Sequence, residues 1–236
     1  MNIALVFAGG KGTRMRIGDK PKQFLEIDNK AILCHTVEHF QNNKNIDKII
    51  VVSSIDWLDY TKEIIKREGF TKVVNVIAGG DSAINSQYIG LKAAHEFIEN
   101  DKDIVLVHDG VRPLITNQMI DECIESVKKY GNGITTAPAI ETIVMVDNVN
   151  NVKDTIERSE CQLARAPQGF YFKELLEAHE QSIKEGTHDF VDSASMMIHY
   201  GYKLHAVVGS ASNIKVTTVT DYYMCKALFE ARVKVE

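Results

Sequence analysis

Short apolar runs rich in β-branched residues alternate with longer amphipathic stretches, and this alternation restricts the fold more than any other feature of the chain. The runs are Asn2–Ala8, Lys48–Ser53 (Ile49, Ile50, Val51, Val52), Lys72–Ala78 (Val73, Val74, Val76, Ile77) and Asp103–His108 (Ile104, Val105, Leu106, Val107). A strand that is apolar on both faces must be covered on both faces, as in a parallel sheet flanked by helices. The stretches between them, Ala31–Gln41, Asp56–Glu68, Ser82–Glu99 and Asn117–Tyr130, are patterned as helices. In Ser82–Glu99 the apolar residues Ile89, Ala93 and Phe97 recur four apart beside Ala94, which predicts one buried helix face. The expected fold is α/β, a Rossmann-like domain with a mainly parallel sheet.

The alternation breaks after Ala139. From Glu141 to Gln162, the short pieces Ile143–Val146 and Thr155–Ile156 flank the turn-rich Asp147-Asn148-Val149-Asn150-Asn151. This pattern predicts a β-hairpin that projects from the sheet. Helices are expected over Phe172–Ile183 and Asp192–Tyr200, a strand over Lys203–Val208, and a closing helix from near Thr220. The sequence has no internal repeat, low-complexity tract or Pro/Gly-rich linker. Residues 1–236 are therefore expected to form one domain, with 141–162 as its arm.

Composition excludes several function classes. The 236 residues carry 27 Lys+Arg against 32 Asp+Glu, a net charge of −5, with 44% hydrophobic and 25% charged residues. A disordered or collagen-like chain is excluded. Mild acidity argues against general binding of nucleic acid or a membrane surface, but not against a nucleotide, for which a few placed cations suffice. No apolar run approaches the ~20 residues of a membrane span. Met1–Ala8 reads as a strand rather than a signal peptide, so a cytoplasmic location is expected. Cys34, Cys123, Cys161 and Cys225 form no C-x-x-C pair. Reduced thiols are expected, not a zinc site or a disulfide framework.

The first strand runs into Ala8-Gly9-Gly10-Lys11-Gly12-Thr13-Arg14-Met15, followed by Lys20-Pro21-Lys22-Gln23. Glycines at the C-terminal edge of a sheet let backbone N–H groups approach a phosphate chain. The loop is neither a Walker A motif nor a full dinucleotide fingerprint, since Met15 stands where a third glycine belongs. It supplies cations instead, Lys11, Arg14 and Lys22, which suits a triphosphate attacked at its α-phosphorus.

With Pro21-Lys22-Gln23-Phe24, this loop resembles the nucleotidyltransferase signature of sugar-phosphate cytidylyltransferases. That family includes the methylerythritol-phosphate enzymes of isoprenoid synthesis and the ribitol-5-phosphate enzymes of teichoic-acid and capsule synthesis. The resemblance continues in order through Gly79-Gly80-Asp81, Ser86, His108-Asp109-Gly110-Val111-Arg112-Pro113, Thr142, Arg158, Ala166-Pro167-Gln168-Gly169-Phe170, Asp192-Ser193-Ala194-Ser195 and Asn213-Ile214-Lys215-Val216-Thr217. It therefore covers nearly the whole chain.

The reaction so implied is attack by a polyol phosphate on the α-phosphorus of CTP, with pyrophosphate leaving. A phosphate monoester has its second pKa near ~6, so at neutral pH the nucleophile needs no general base. Bringing two polyanions together calls for positioning and neutralisation by Lys, Arg and Mg²⁺. Arg14, Lys22 and Lys215 are the expected catalytic cations. On spacing alone Lys215 could equally be an edge lysine at the start of a strand.

The resemblance assigns Ala8, Gly9, Gly10, Lys11, Gly12, Gly80 and Ser86 to CTP, and Asp109, Arg112, Thr142 and Arg158 to the polyol phosphate. In the family Thr142 and Arg158 serve the neighbouring subunit of a homodimer with exchanged arms. Blander readings stand beside these: Asp81 or Ser82 as a helix N-cap, Asp109–Arg112 as a structural ion pair, His108 as packing. Arg165 could face a phosphate and stays outside the set. No dedicated metal carboxylate is recognised; Mg²⁺ is expected on the triphosphate oxygens. Relatives usually carry arginine where this chain has Ala83.

Val111 and Ala139-Ile140-Glu141-Thr142 look more like the ribitol-phosphate enzymes, so D-ribitol 5-phosphate is the expected acceptor and methylerythritol phosphate the alternative. Two other classes remain, a Rossmann-type oxidoreductase and a catalytically silent nucleotide-binding module.

Overall fold

The computed structural model describes residues 1–9, 20–187 and 189–233. In chain order the strands and α-helices are β1 (Asn2–Ala8), β2 (Glu26–Ile27), β3 (Lys30–Ala31), α1 (Ile32–Asn42), β4 (Lys48–Ser53), α2 (Leu58–Arg67), β5 (Val73–Ala78) and α3 (Ala83–Ala94). There follow β6 (Ile104–Asp109), α4 (Asn117–Tyr130), β7 (Asn132–Pro138), β8 (Ile143–Val146), β9 (Val152–Ile156), β10 (Gln162–Tyr171), α5 (Phe172–Glu185), α6 (Ser193–His199), β11 (Ala206–Val208) and α7 (Val219–Val233).

Among the described residues the main sheet has seven strands in the order β11-β7-β10-β6-β1-β4-β5. β4–β1, β1–β6, β4–β5 and β7–β11 pair in parallel; β10 runs antiparallel between β6 and β7. The expected mainly parallel sheet is therefore present. Its two-sided burial follows from the pleat: on β1, Ala4 and Val6 face Val37, Phe40, Ile64 and Ile120, contributed by α1, α2 and α4. Ile3 and Leu5 face Leu91, Leu175 and Met196, contributed by α3, α5 and α6. All four β1 residues are fully buried, as period-two alternation between two helical layers requires.

Three local expectations are corrected. The buried side of α3 is Ile84, Gly90, Leu91 and Ala94, while Ile89 and Ala93 are only partly buried. The α-helix ends at Ala94 in a 3-10 turn, His95–Phe97, and Phe97 packs with Ala93, partly buried, against the same core as Leu91 and Ala94. The strand expected from Lys203 is confined to β11, whose partner is the short stretch Ile134–Thr136 of β7. Lys215 lies in a segment without regular structure rather than at a strand start, tied to the turn after β6 by the Val216 N–H donating to the Val111 carbonyl at 2.9 Å.

β8 and β9 form the expected hairpin as a separate two-stranded sheet, with Ile143 opposite Ile156. The turn is closed by Asp147, whose carboxylate accepts from the Val149 and Asn151 backbone N–H groups at 2.9 Å each. No helix among the described residues is long and apolar enough to cross a membrane.

Candidate active site

From β1 the chain proceeds outward to β4 and β5, then returns to place β6 on the other side of β1. The crevice beyond the C-terminal ends of β1 and β6 is thus a topological switch point, where open α/β sheets take their ligands. β6 ends here at Asp109, paired in register with Phe7. The next residue must be glycine: its N–H donates to the Phe7 carbonyl at 2.8 Å, and a Cβ on Gly110 would stand 2.8 Å from the Leu33 side chain and 2.9 Å from that carbonyl oxygen.

Asp109 is the centre of a charged group. One carboxylate oxygen accepts from Lys215 Nζ at 2.7 Å, the other from Arg112 Nε at 2.8 Å. Arg112 is 8% exposed and its Nη1 donates to the Asn213 carbonyl at 3.0 Å. Arg165 reaches that same oxygen from β10 at 2.6 Å. Burial pushes the Asp109 carboxyl up, but the Lys215 ammonium and the Arg112 guanidinium outweigh it and pull the pKa down to about 2. The Asp109–Arg112 ion pair read as a structural alternative is present, and Lys215 joins it.

His108 lies beside this group, its Nε2 3.4 Å from the Arg112 carbonyl oxygen. It is buried against Phe40, ring centroids 5.1 Å apart, and burial pulls its pKa down to about 3. Buried between the Phe40 ring and the Arg112 carbonyl, it is a hydrogen-bonded packing residue. Cys34 and Cys123 are free, and burial pushes each thiol up to about 12. Among the described residues none of the four cysteines forms a disulfide.

The expected nucleotide side is placed in part. Gly10, Lys11, Gly12 and Arg14 lie outside the described residues. Ala8 ends β1 and Gly9 follows it; Gln23 Nε2 donates to the Ala8 carbonyl at 2.7 Å, so the short turn Lys22–Phe24 is tied to the same edge. Beyond β5, Ser82 caps α3 by accepting from the Asn85 N–H at 3.0 Å. Ser86 Oγ accepts from the Gly80 N–H at 3.1 Å and donates to the Ser82 carbonyl at 2.8 Å. Bracing of this loop therefore runs through Ser82 and Ser86 and needs nothing from Ala83.

Thr142 and Arg158 are exposed at the base of the hairpin. Arg158 Nη1 donates across that base to the Ile140 carbonyl at 3.2 Å. Among the described residues no hydrogen bond joins either to the Asp109 group. Arg158 lines a hollow of about 400 Å³ with Pro138, Ala139, Glu157 and Gln162. Other residues of the recognised motifs are scaffold. Gln168 donates to Asp192 at 2.7 Å and accepts from the Ala194 N–H at 3.0 Å, and Ser193 donates to Gln87 at 2.7 Å, which locks α6 onto β10 and α3.

No group of three or more His, Cys, Asp or Glu among the described residues could hold a metal ion, and both Asp109 oxygens already face cations. This donor set does not make a dedicated protein site for Mg²⁺.

Cations gathered at the switch point of an open α/β sheet suit a ligand that carries phosphate groups. The sequence pattern of the IspD family, 2-C-methyl-D-erythritol 4-phosphate cytidylyltransferase, matches residues 2–231, and the chain belongs to this family. It is 44% identical to the ribitol-5-phosphate cytidylyltransferase of Vibrio parahaemolyticus serotype O3:K6, over 100% of this chain and 99% of that one. It is 38% identical to the 2-C-methyl-D-erythritol 4-phosphate cytidylyltransferase of Petrotoga mobilis, over 98% and 99%. The crystal structure of 4-diphosphocytidyl-2C-methyl-D-erythritol synthase from Anaerococcus prevotii superimposes with a TM-score of 0.82 at 25% identity, covering 97% of this chain and 96% of that one.

Proposed function

We propose that the protein transfers CMP from CTP to D-ribitol 5-phosphate. A phosphate oxygen of the polyol attacks the α-phosphorus, the bond to the leaving pyrophosphate breaks, and CDP-ribitol forms. The observation that carries this reading is the convergence of Lys215 and Arg112 on Asp109 at the switch point. Asp109 and the arginine would hold the acceptor's hydroxyls and phosphate. Arg14, Lys22 and Lys215 would neutralise the triphosphate and the charge that grows on the bridging oxygen. Gly9, Gly10, Lys11 and Gly12 would cradle the phosphates, and Gly80 and Ser86 the cytosine edge. Mg²⁺ would arrive on the phosphate oxygens of CTP, lowering their charge.

The identity to the Vibrio enzyme favours ribitol; the family pattern itself favours methylerythritol phosphate as the second reading. Pyrophosphate release measured with CTP and each acceptor in parallel decides. Higher kcat/KM with D-ribitol 5-phosphate is expected, and faster turnover of the branched substrate overturns the choice. CTP binding without pyrophosphate release from either would mean a silent nucleotide-binding module.

The domain reading extends this proposal: residues 1–236 form one cytoplasmic domain whose arm, 141–162, docks on a second copy. Val144, Met145, Val146 and Val152 are exposed on a two-stranded hairpin, which is marginal without a further packing surface. Thr142 and Arg158 would then complete the neighbour's acceptor site. Met145→Asp combined with Val152→Asp is expected to convert a dimer into a monomer in sedimentation velocity and to abolish turnover. A parent protein that sediments as a monomer contradicts the dimer.

A further inference from the structure

Arg165 has no part in the reading above, yet it is placed with care. It sits where the pairing of β10 with β7 is interrupted, between Ala164 and Gln168. Its Nη1 shares the Asn213 carbonyl with Arg112 Nη1. Its Nε is buried and has no hydrogen-bond partner among the described residues. No carboxylate among them lies within ion-pair distance of it, since Asp109 pairs with Lys215 and Arg112 only.

One neutral oxygen cannot compensate two guanidinium charges. Burial, and then the charge on Arg112, both pull the Arg165 pKa down, but a guanidinium stays charged in a protein. Three cations against one carboxylate leave a surplus of two positive charges. A phosphate monoester carries close to two negative charges above its second pKa. Its oxygens also suit the planar forks of two neighbouring arginines.

We infer that Arg165 is a further substrate-binding residue that grips the phosphate monoester of the acceptor together with Arg112, the Asn213 carbonyl fixing the distance between the two forks. Asn213 is held in turn by its own Nδ2, which donates to the Ala166 carbonyl at 2.8 Å. The inference rests on the acceptor being a polyol phosphate, as proposed above.

The test is steady-state kinetics on Arg165→Gln and Arg165→Lys, each substrate varied separately. Glutamine keeps a donor for Asn213 and loses the charge. Its KM for D-ribitol 5-phosphate should rise about 10- to 100-fold, while kcat and the KM for CTP change by no more than about twofold. Lysine should fall between glutamine and the parent. An unchanged acceptor KM, or equal rises for both substrates, overturns the inference. If the parent forms no CDP-polyol, the functional reading fails by itself. Calorimetry of D-ribitol 5-phosphate against ribitol then still tests the inference. Binding that needs the phosphate and is lost in Arg165→Gln supports it; equal binding by parent and variant overturns it.

Discussion

Lys215→Ala is expected to lower kcat about 10²- to 10³-fold, the cost of removing one preorganised group that stabilises developing transition-state charge. The ammonium stands 2.7 Å from Asp109 and its side chain is 42% exposed, so it is held in place while remaining accessible to a ligand. An exposed ion pair contributes little to folding, about 0–1 kcal/mol, and Arg112 still faces the carboxylate after the substitution. The melting temperature should therefore move by no more than about 4 °C. Loss of rate with a retained fold is the signature of a group that acts on reacting atoms. Rates near those of the parent, measured by pyrophosphate release, would remove Lys215 from the chemistry.

Arg112→Ala is expected to damage fold and binding together. The guanidinium is nearly buried and joins β6 to the 209–218 segment through Asp109 and the Asn213 carbonyl. Breaking a fully buried pair costs about 3–5 kcal/mol. Here Lys215 remains on the carboxylate and Asp109 is 27% exposed, so a loss of about 1–3 kcal/mol is appropriate. In a chain of this size that is a fall of about 2–10 °C in melting temperature. The KM for the acceptor should rise about 10- to 100-fold as a charge-assisted contact is lost. Arg112→Lys should recover little of it, because an ammonium cannot hold a carboxylate and a carbonyl in one planar fork. Full recovery by lysine would mean that charge alone matters at this position.

Much of this arrangement was legible in the sequence. β1 and α4 lie at the expected residues because their patterning is local and unbroken. β7 and β10 were not expected as strands. Gly133 and Pro138 in the first, and Ala166-Pro167-Gln168-Gly169 in the second, dilute the β-branched signal. Their pairing is a tertiary fact that no local period records. The acceptor-side residues were recognised by motif, but their meeting was not. Lys215 is 106 residues from Asp109, and Arg165 is 48 from the carbonyl it shares with Arg112. Arg165 is noticed in the sequence near Pro167-Gln168, but its place beside Arg112 follows only from the shared oxygen and the missing carboxylate. Ser86 and Gly80, both assigned to the nucleotide, are hydrogen-bonded to each other, a brace for the loop that the motif did not indicate.

In the proposed reaction the phosphates of both reactants meet over the cations beside Asp109. The most direct measurement is the crystal structure of the protein with CDP-ribitol bound. The oxygens of the acceptor-side phosphate should then accept hydrogen bonds from Arg112 and Lys215, with the nucleotide beyond the end of β1. A product seated elsewhere on the molecule, with the Lys215–Asp109–Arg112 ion pairs facing empty solvent, would contradict it.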